Sequence, residues 1–160
     1  MLGLFKDNPV MGKASTIIQS TTDQLFDFIG NNLLINYPRW SPEVKELEKL
    51  TNGPIALGTV CRQVRIDQGN RSESTFKVRI FNQGSRICFE GVSNPYRCDY
   101  VIESMSDMNS RITFVFELLS LDLHVRPFEK LVRVAVQDGT ERTVRNIKKI
   151  IETDLIDIKK

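Results

Sequence analysis

The carboxyl-terminal third of the sequence has the pattern of one long amphipathic helix. From Phe128 onward, apolar or small residues recur every three or four positions, at Leu131, Val132, Ala135, Val136, Gly139, Thr143, Ile147 and Ile150. At about 100° per residue these positions fall on one stripe, opposite polar residues such as Lys130, Gln137, Glu141, Arg145 and Lys148. A stripe of this length must be buried against another large element, which leaves few possible architectures.

The chain between residues 58 and 118 has the alternation of apolar and polar residues that is typical of β-hairpins. The alternating runs are separated by turn sequences, among them Asp67-Gln68-Gly69-Asn70, Asn82-Gln83-Gly84-Ser85, Ser93-Asn94-Pro95 and Asp107-Met108-Asn109. Short turns between consecutive strands indicate an antiparallel meander.

The first 50 residues predict one strand, one or two short helices and a segment of open assignment. Residues 13–19 alternate as a strand does, and Thr21 to Gln24 form a capping box that starts a helix, which we expect Gly30 to end. Val44, Leu47 and Leu50 are spaced by three, which favours a helix, whereas the shortness of this segment permits a strand.

This order of elements predicts an α+β fold in a single domain, residues 1–160. We expect a curved antiparallel sheet of six to seven strands to wrap a helix that covers at least residues 128–150, with the short helices after the first strand. Such a wrapped interior can be hollow.

Composition narrows the possible partners and the compartment. Lys and Arg number 22 against 20 Asp and Glu, and no basic block is present, so we expect no nucleic-acid partner. The three cysteines, Cys61, Cys88 and Cys98, lack the spacing of a zinc site or a disulfide scaffold, and we expect no metal or other cofactor. The sequence MLGLFKDNPVMG does not resemble a signal peptide, and no apolar run reaches transmembrane length. We therefore expect a cytoplasmic protein, of unknown oligomeric state.

Four local patterns resemble the START-like, helix-grip (SRPBCC) superfamily, and in particular its polyketide cyclase/dehydrase-like branch. Residues 18–26 (IQSTTDQLF) are similar to its opening strand and first helix, and residues 40–44 (WSPEV) to its W-x-P-x-V segment. The other patterns are G-x-x-x-R at residues 58–62, S-R-I-T-F at residues 110–114, and N-I-K-K at residues 146–149. Together they cover about residues 12–153.

The resemblance implies that residues 44–50 form a strand and that a cavity lies between the sheet and the long helix. Members of the superfamily use that cavity for lipids, sterols, polyketides and other apolar molecules. The superfamily shares no universal catalytic residue, so no active site can be transferred and the catalytic residues stay unknown.

Candidate cavity-lining residues follow from the alternation within the strands and from the helix stripe. Arg62 shares its alternation with Val64, so we expect it to point inward and to bind a polar ligand group or a carboxylate such as that of Glu48; it can also lie at the rim of the sheet. Tyr100 can donate its hydroxyl to a ligand or belong to the core. The full set is Arg62, Val64, Phe76, Val78, Phe89, Tyr100, Ile102, Phe114, Phe116, Val132, Ala135, Gly139 and Arg142.

Other residues have less specific interpretations. His124, the one histidine, has no evident partner for acid–base chemistry. Trp40 is expected to cap one end of the sheet, by packing or at a cavity mouth. Asn146 flanks the helix stripe, as Arg142 does. Residues 119–125 either extend the last strand or form a lid.

Three functions are compatible with this sequence. The leading hypothesis is binding or carriage of a small apolar molecule, such as a lipid or polyketide, in the internal cavity. An alternative is a cyclase or dehydratase that uses the same cavity. A further alternative is a protein-interaction or chaperone-assisting module, which an exposed apolar patch would favour.

Overall fold

The computed structural model describes residues 9–159, with side chains up to residue 158. The strands are β1 (Val10–Ile18), β2 (Val44–Lys49), β3 (Val60–Asp67), β4 (Asn70–Asn82), β5 (Arg86–Gly91), β6 (Tyr96–Ser106) and β7 (Asn109–Leu118). The helices are α1 (Thr22–Phe26), α2 (Leu33–Trp40) and α3 (Glu129–Lys159), and a 3₁₀ turn (Arg126–Phe128) precedes α3. Residues 1–8, for which we expect no signal peptide, lie outside this range.

The strands form one antiparallel sheet in the order β1-β7-β6-β5-β4-β3-β2. Strands β2 to β7 make a meander, and β1 closes the series beside β7, from Val10 opposite Leu118 to Ile18 opposite Ser110. The predicted α+β fold, with six to seven antiparallel strands and a long carboxyl-terminal helix, is therefore confirmed, and the sheet has seven strands. Residues 44–49 are a strand, as the family resemblance implied.

The capping box before α1 forms as predicted, but Gly30 does not end the helical segment. The Thr21 hydroxyl accepts from the Gln24 amide at 3.1 Å, and the Gln24 side chain accepts from the Thr21 amide at 3.0 Å. After α1 the chain continues through a π-helical turn, Asp27–Asn31, into α2. Gly30 is buried in that turn, where a Cβ atom would lie 3.0 Å from the ring of Phe26. The glycine is therefore a point of close packing.

A β-bulge explains why the apolar residues of β2 are spaced by three. The register with β3 shifts between Val44 and Glu46, so that Val44 pairs with Arg65 while Leu47 pairs with Gln63. An extra residue in one strand reverses the alternation beyond it. Val44 and Leu47 consequently both contact the core, and the helical spacing is compatible with a strand.

A second β-bulge reverses the alternation of inner and outer residues in β4. The register with β5 shifts between Val78 and Ile80, and Phe76 and Val78 are fully buried while Ile80 is partly exposed. Phe81 takes the next inward position and packs edge-on against Phe26 at a ring distance of 5.1 Å. Ile80 therefore does not share the inner face with Phe76 and Val78, although it alternates with them in the sequence.

The fully buried residues of helix α3 begin at Thr140. Thr140, Val144, Ile147 and Ile151 are at most 4% exposed, whereas Leu131, on the predicted stripe, is 68% exposed. Close approach to the sheet occurs at Gly12 of β1, where a Cβ atom would lie 2.4 Å from the Thr140 hydroxyl. The amino-terminal half of α3 contacts the sheet at β1, through Val136, Gln137 and Thr140, and leaves room between itself and strands β3, β4, β6 and β7.

Candidate functional site

A pocket of about 520 Å³ lies between the amino-terminal half of α3 and the strands of the sheet other than β1. Its walls come from β3, β4, β6, β7, the end of α2 and the facing side of α3. This volume falls within the range of small-molecule sites, roughly 300–1,000 Å³. The pocket is thus large enough for a small organic ligand.

Aromatic side chains form the floor of the pocket. Tyr100 stacks on Phe114 at a ring distance of 4.5 Å, and Trp40 meets Tyr100 edge-on at 5.8 Å. Tyr96 stacks on Phe116 nearer the opening, at 6.3 Å. Burial raises the pKa of Tyr100 well above its ordinary value, so this phenol stays neutral. The floor is therefore an uncharged aromatic surface.

A hydrogen-bonded cluster of uncharged groups lies beside these rings. Gln63 Nε2 donates to the Tyr96 hydroxyl at 3.0 Å and to the Ser74 hydroxyl at 3.3 Å. The two hydroxyls lie 3.3 Å apart and share a further hydrogen bond. Burial raises the pKa of Tyr96 to about 12, although its bond from Ser74 opposes the shift. The cluster is thus neutral over the physiological pH range.

Arg65 brings a positive charge to the same side of the pocket. Its guanidinium donates to both carboxylate oxygens of Asp67, at 3.1 Å, and also to the hydroxyls of Tyr37 at 3.3 Å and Ser41 at 3.2 Å. Burial lowers the pKa of Arg65. The interactions with Tyr37 and Asp67 together raise this pKa by more than burial lowers it, so the net shift is upward. The charge is therefore permanent and is largely balanced by Asp67.

Arg62 does not point into the interior, and this prediction is wrong. The inward side chains of β3 are Cys61 and Gln63, each at most 2% exposed, so Arg62 and Val64 lie on the outer face. Arg62 forms ion pairs there with Glu46 at 3.5 Å, with Glu48 at 3.8 Å and with Glu73. Its proposed pairing with Glu48 exists, but at the surface.

Val64 is an apolar residue that is buried on the outer face of the sheet. It pairs across the sheet with Glu46 and Glu73, whose long side chains turn toward Arg62. Val64 is 2% exposed between them. Aliphatic stems of charged residues can cover an apolar side chain in this way, so an apolar residue in a strand does not by itself identify the inner face.

Four other predicted cavity residues belong to the solid core. Phe76, Val78, Phe89 and Ile102 are at most 4% exposed and do not line the pocket. The Tyr37 ring fills the space above two of them, at 6.3 Å from the ring of Phe76 and 5.6 Å from that of Phe89. Helix α2 occupies this part of the interior, which is why the hollow part is confined to the other end.

The structure brings the remaining predicted residues together around the pocket: Tyr100, Phe114, Phe116, Val132, Ala135, Gly139 and Arg142. That they contact a ligand stays a prediction. Sequence reasoning missed Gln63, Ser74 and Arg65, and also Tyr37 and Tyr96. The detectable signal was the alternation of Cys61, Gln63 and Arg65, which lie on the less apolar face of β3.

An ion pair connects α3 to the segment before β2 at the pocket. Arg142 Nη2 lies 3.2 Å from Glu43 Oε1, and both residues line the pocket. Gly139 lies one turn earlier on α3, and a Cβ atom there would meet only Arg142 Nη2, at 3.9 Å. The middle of this helix therefore borders free space at Gly139.

Trp40 lines the pocket, whereas His124, Asn146 and residues 119–125 do not. Trp40 is 1% exposed and belongs to both the core and the pocket wall. Asn146 Nδ2 donates to the Trp40 carbonyl at 3.0 Å, which caps the end of α2. His124 is exposed. Strand β7 ends at Leu118, so residues 119–125 do not extend it, and among the pocket residues that the structure describes none comes from this segment.

Comparison with solved structures shows which known fold this chain has. The sequence matches no protein-family model, and it matches no curated protein. Among solved structures, the Zhui aromatase/cyclase from Streptomyces sp. R1128 has a TM-score of 0.76 at 9% identity, covering 92% of this chain and 96% of the other. TTHA0849 from Thermus thermophilus has 0.69 at 15% identity, over 90% and 98%. The ginseng major latex-like protein 151 from Panax ginseng has 0.63 at 14% identity, over 88% and 97%.

The chain therefore has the helix-grip fold that these structures share, and the resemblance predicted from the sequence motifs is confirmed for the fold. At these identities the likeness shows architecture alone. Among the helices that the structure describes, none is long and apolar enough to cross a membrane.

Proposed function

We propose that this protein binds a small, largely apolar molecule in the pocket between the sheet and α3. The observation that carries the proposal is the pocket itself, about 520 Å³ with an aromatic floor and a few polar groups on one side. Burial of apolar surface supplies most of the affinity in such sites, and the polar groups fix the orientation of the ligand.

The test uses two valines of α3 that differ only in their direction. Val132 lines the pocket, and Val134, two residues further, is 59% exposed. The neutral fluorescent probe N-phenyl-1-naphthylamine should bind the wild-type protein, and Val132→Asp should weaken binding at least tenfold. Val134→Asp is the matched control and should leave the affinity unchanged. Equal effects of the two variants, or no binding to the wild type, would contradict the proposal.

An enzyme of the aromatase/cyclase type is the second candidate. It is supported by the shared fold with the Zhui aromatase/cyclase and with StfQ, an aromatase/cyclase from the steffimycin pathway. The neutral Tyr96 hydroxyl and the charged Arg65 could polarise a carbonyl group held on the aromatic floor. Native mass spectrometry of the purified protein, followed by incubation with polyketide-like substrates, separates the two candidates. A retained, unchanged compound favours carriage, and turnover favours the enzyme.

A further inference from the structure

The side-chain amide of Gln63 is only half satisfied within the protein. Gln63 is 2% exposed and lines the pocket. Its Nε2 donates to Tyr96 and Ser74, whereas Oε1 is buried and has no hydrogen-bond partner among the described residues. Most buried side-chain acceptors are hydrogen-bonded, so an unpaired carbonyl in a pocket wall needs an explanation.

The neighbouring donors bond to other groups and not to Oε1. Arg65, two residues along the same face, directs its guanidinium to Asp67, Tyr37 and Ser41. The Tyr96 and Ser74 hydroxyls already lie against Nε2 and bond to each other. In the orientation present, Nε2 donates to both hydroxyls, and Oε1 is the atom left as an acceptor without a partner among the described residues.

We propose that Gln63 determines which ligands the pocket accepts, and that it selects an apolar, aromatic molecule carrying a hydroxyl or N–H group that donates to Oε1. This inference rests on the proposed function of the same pocket. The aromatic preference follows from the stacked rings of Tyr100 and Phe114 beside the cluster. A site built to bond a hydroxyl discriminates strongly against an analogue that lacks it, because the buried acceptor is then left unpaired.

Three probes of nearly equal shape test the proposal by titration calorimetry: 2-naphthol, which can donate, 2-methoxynaphthalene, which can only accept, and naphthalene, which does neither. The wild-type protein should bind 2-naphthol about tenfold more tightly than 2-methoxynaphthalene, the effect of one hydrogen bond to a buried acceptor. Gln63→Leu should abolish this preference and should bind naphthalene at least as well as the wild type does.

Gln19→Leu is the matched control, since it makes the same change at an exposed position that does not line the pocket. This variant should keep the preference for 2-naphthol. Equal binding of 2-naphthol and 2-methoxynaphthalene by the wild-type protein would overturn the assignment of Gln63 and leave the pocket function standing. A failure of all three probes to bind would instead overturn the proposed function, and this inference with it.

Discussion

The side-chain amide of Gln137 pairs with both backbone groups of Lys13. The Lys13 amide donates to Gln137 Oε1 at 3.0 Å, and Gln137 Nε2 donates to the Lys13 carbonyl at 2.9 Å. Lys13 lies in β1, an edge strand of the sheet, whose outer backbone groups would otherwise be open to pairing with another chain. Lys148 donates to the Ile17 carbonyl further along the same edge, at 2.6 Å. Side chains of α3 thus take the place of an eighth strand.

Gln137→Ala should lower the free energy of unfolding by about 1–2 kcal/mol, because two hydrogen bonds to the edge strand are lost. The exposed edge should also increase self-association. Urea denaturation and sedimentation velocity measure the two effects. Lys149→Ala, at an exposed position of the same helix, is the control and should change neither. A Gln137 variant as stable as this control would show that the edge contacts contribute nothing.

Gly12→Ala and Gly139→Ala should have opposite effects on stability. A Cβ atom at Gly12 would lie 2.4 Å from the Thr140 hydroxyl and 3.0 Å from the Val136 carbonyl, so we expect a loss of about 1–3 kcal/mol from overpacking. At Gly139 the added methyl meets only Arg142, at 3.9 Å, and the helix gains the propensity difference of about 0.8–1.0 kcal/mol. Thermal denaturation of the two variants measures both effects; destabilisation by both would mean that α3 packs closely at Gly139.

Gly139→Leu should reduce ligand binding without reducing stability. The leucine side chain would project into the pocket, where it occupies volume that a ligand needs and displaces no packed group. We expect the affinity for N-phenyl-1-naphthylamine to fall about tenfold, because one steric obstruction typically costs on the order of 1–3 kcal/mol. The melting temperature should hold or rise. Unchanged affinity would place the bound probe elsewhere.

Arg62→Leu should leave ligand binding unchanged, because Arg62 lies on the outer face of the sheet among Glu46, Glu48 and Glu73. Arg65→Leu should weaken probe binding and also lower stability by about 1–3 kcal/mol, because it leaves Asp67 and the Tyr37 hydroxyl without their partner. Calorimetric titration of both variants tests the two orientations. A larger loss of affinity for Arg62→Leu than for Arg65→Leu would contradict the assignment of the faces of β3.

The protein should lose stability as the pH rises from about 9 to 11. Burial raises the pKa of the thiols of Cys61 and Cys88 to about 11 in the folded protein, against about 8.5 in an unfolded chain. In this window the unfolded chain releases protons that the folded protein retains, so the free energy of unfolding falls with pH, by at most about 1.4 kcal/mol per pH unit for each thiol.

Urea denaturation from pH 8 to pH 11 under reducing conditions measures this slope. The double variant Cys61→Ala, Cys88→Ala should have a shallower slope, whatever its stability at pH 8. Some slope should remain, because burial also raises the pKa of Cys98 and of Tyr96. An identical slope in the double variant would exclude these two thiols as its cause.

Sequence periodicity was sufficient for most of the elements and their order, but not for β2, whose apolar spacing favours a helix. The capping box at Thr21, the turns between strands β3 to β7 and the apolar stripe from Gly139 to Ile147 are local features, because each depends on side chains within a few residues of one another. An antiparallel sheet with a long helix follows from these features, since few architectures bury both.

The tertiary structure alone decided which face of β3 is the inner one, and hence which residues form the candidate site. Alternation divides a strand into two faces, but it does not say which one meets the core. On β3 the more apolar face is outside, where charged neighbours cover Val64, and Gln63 and Arg65 point inward. Bulges in β2 and β4 reverse the alternation again. These assignments depend on contacts between strands and helices far apart in the chain, and so no local pattern could reveal them.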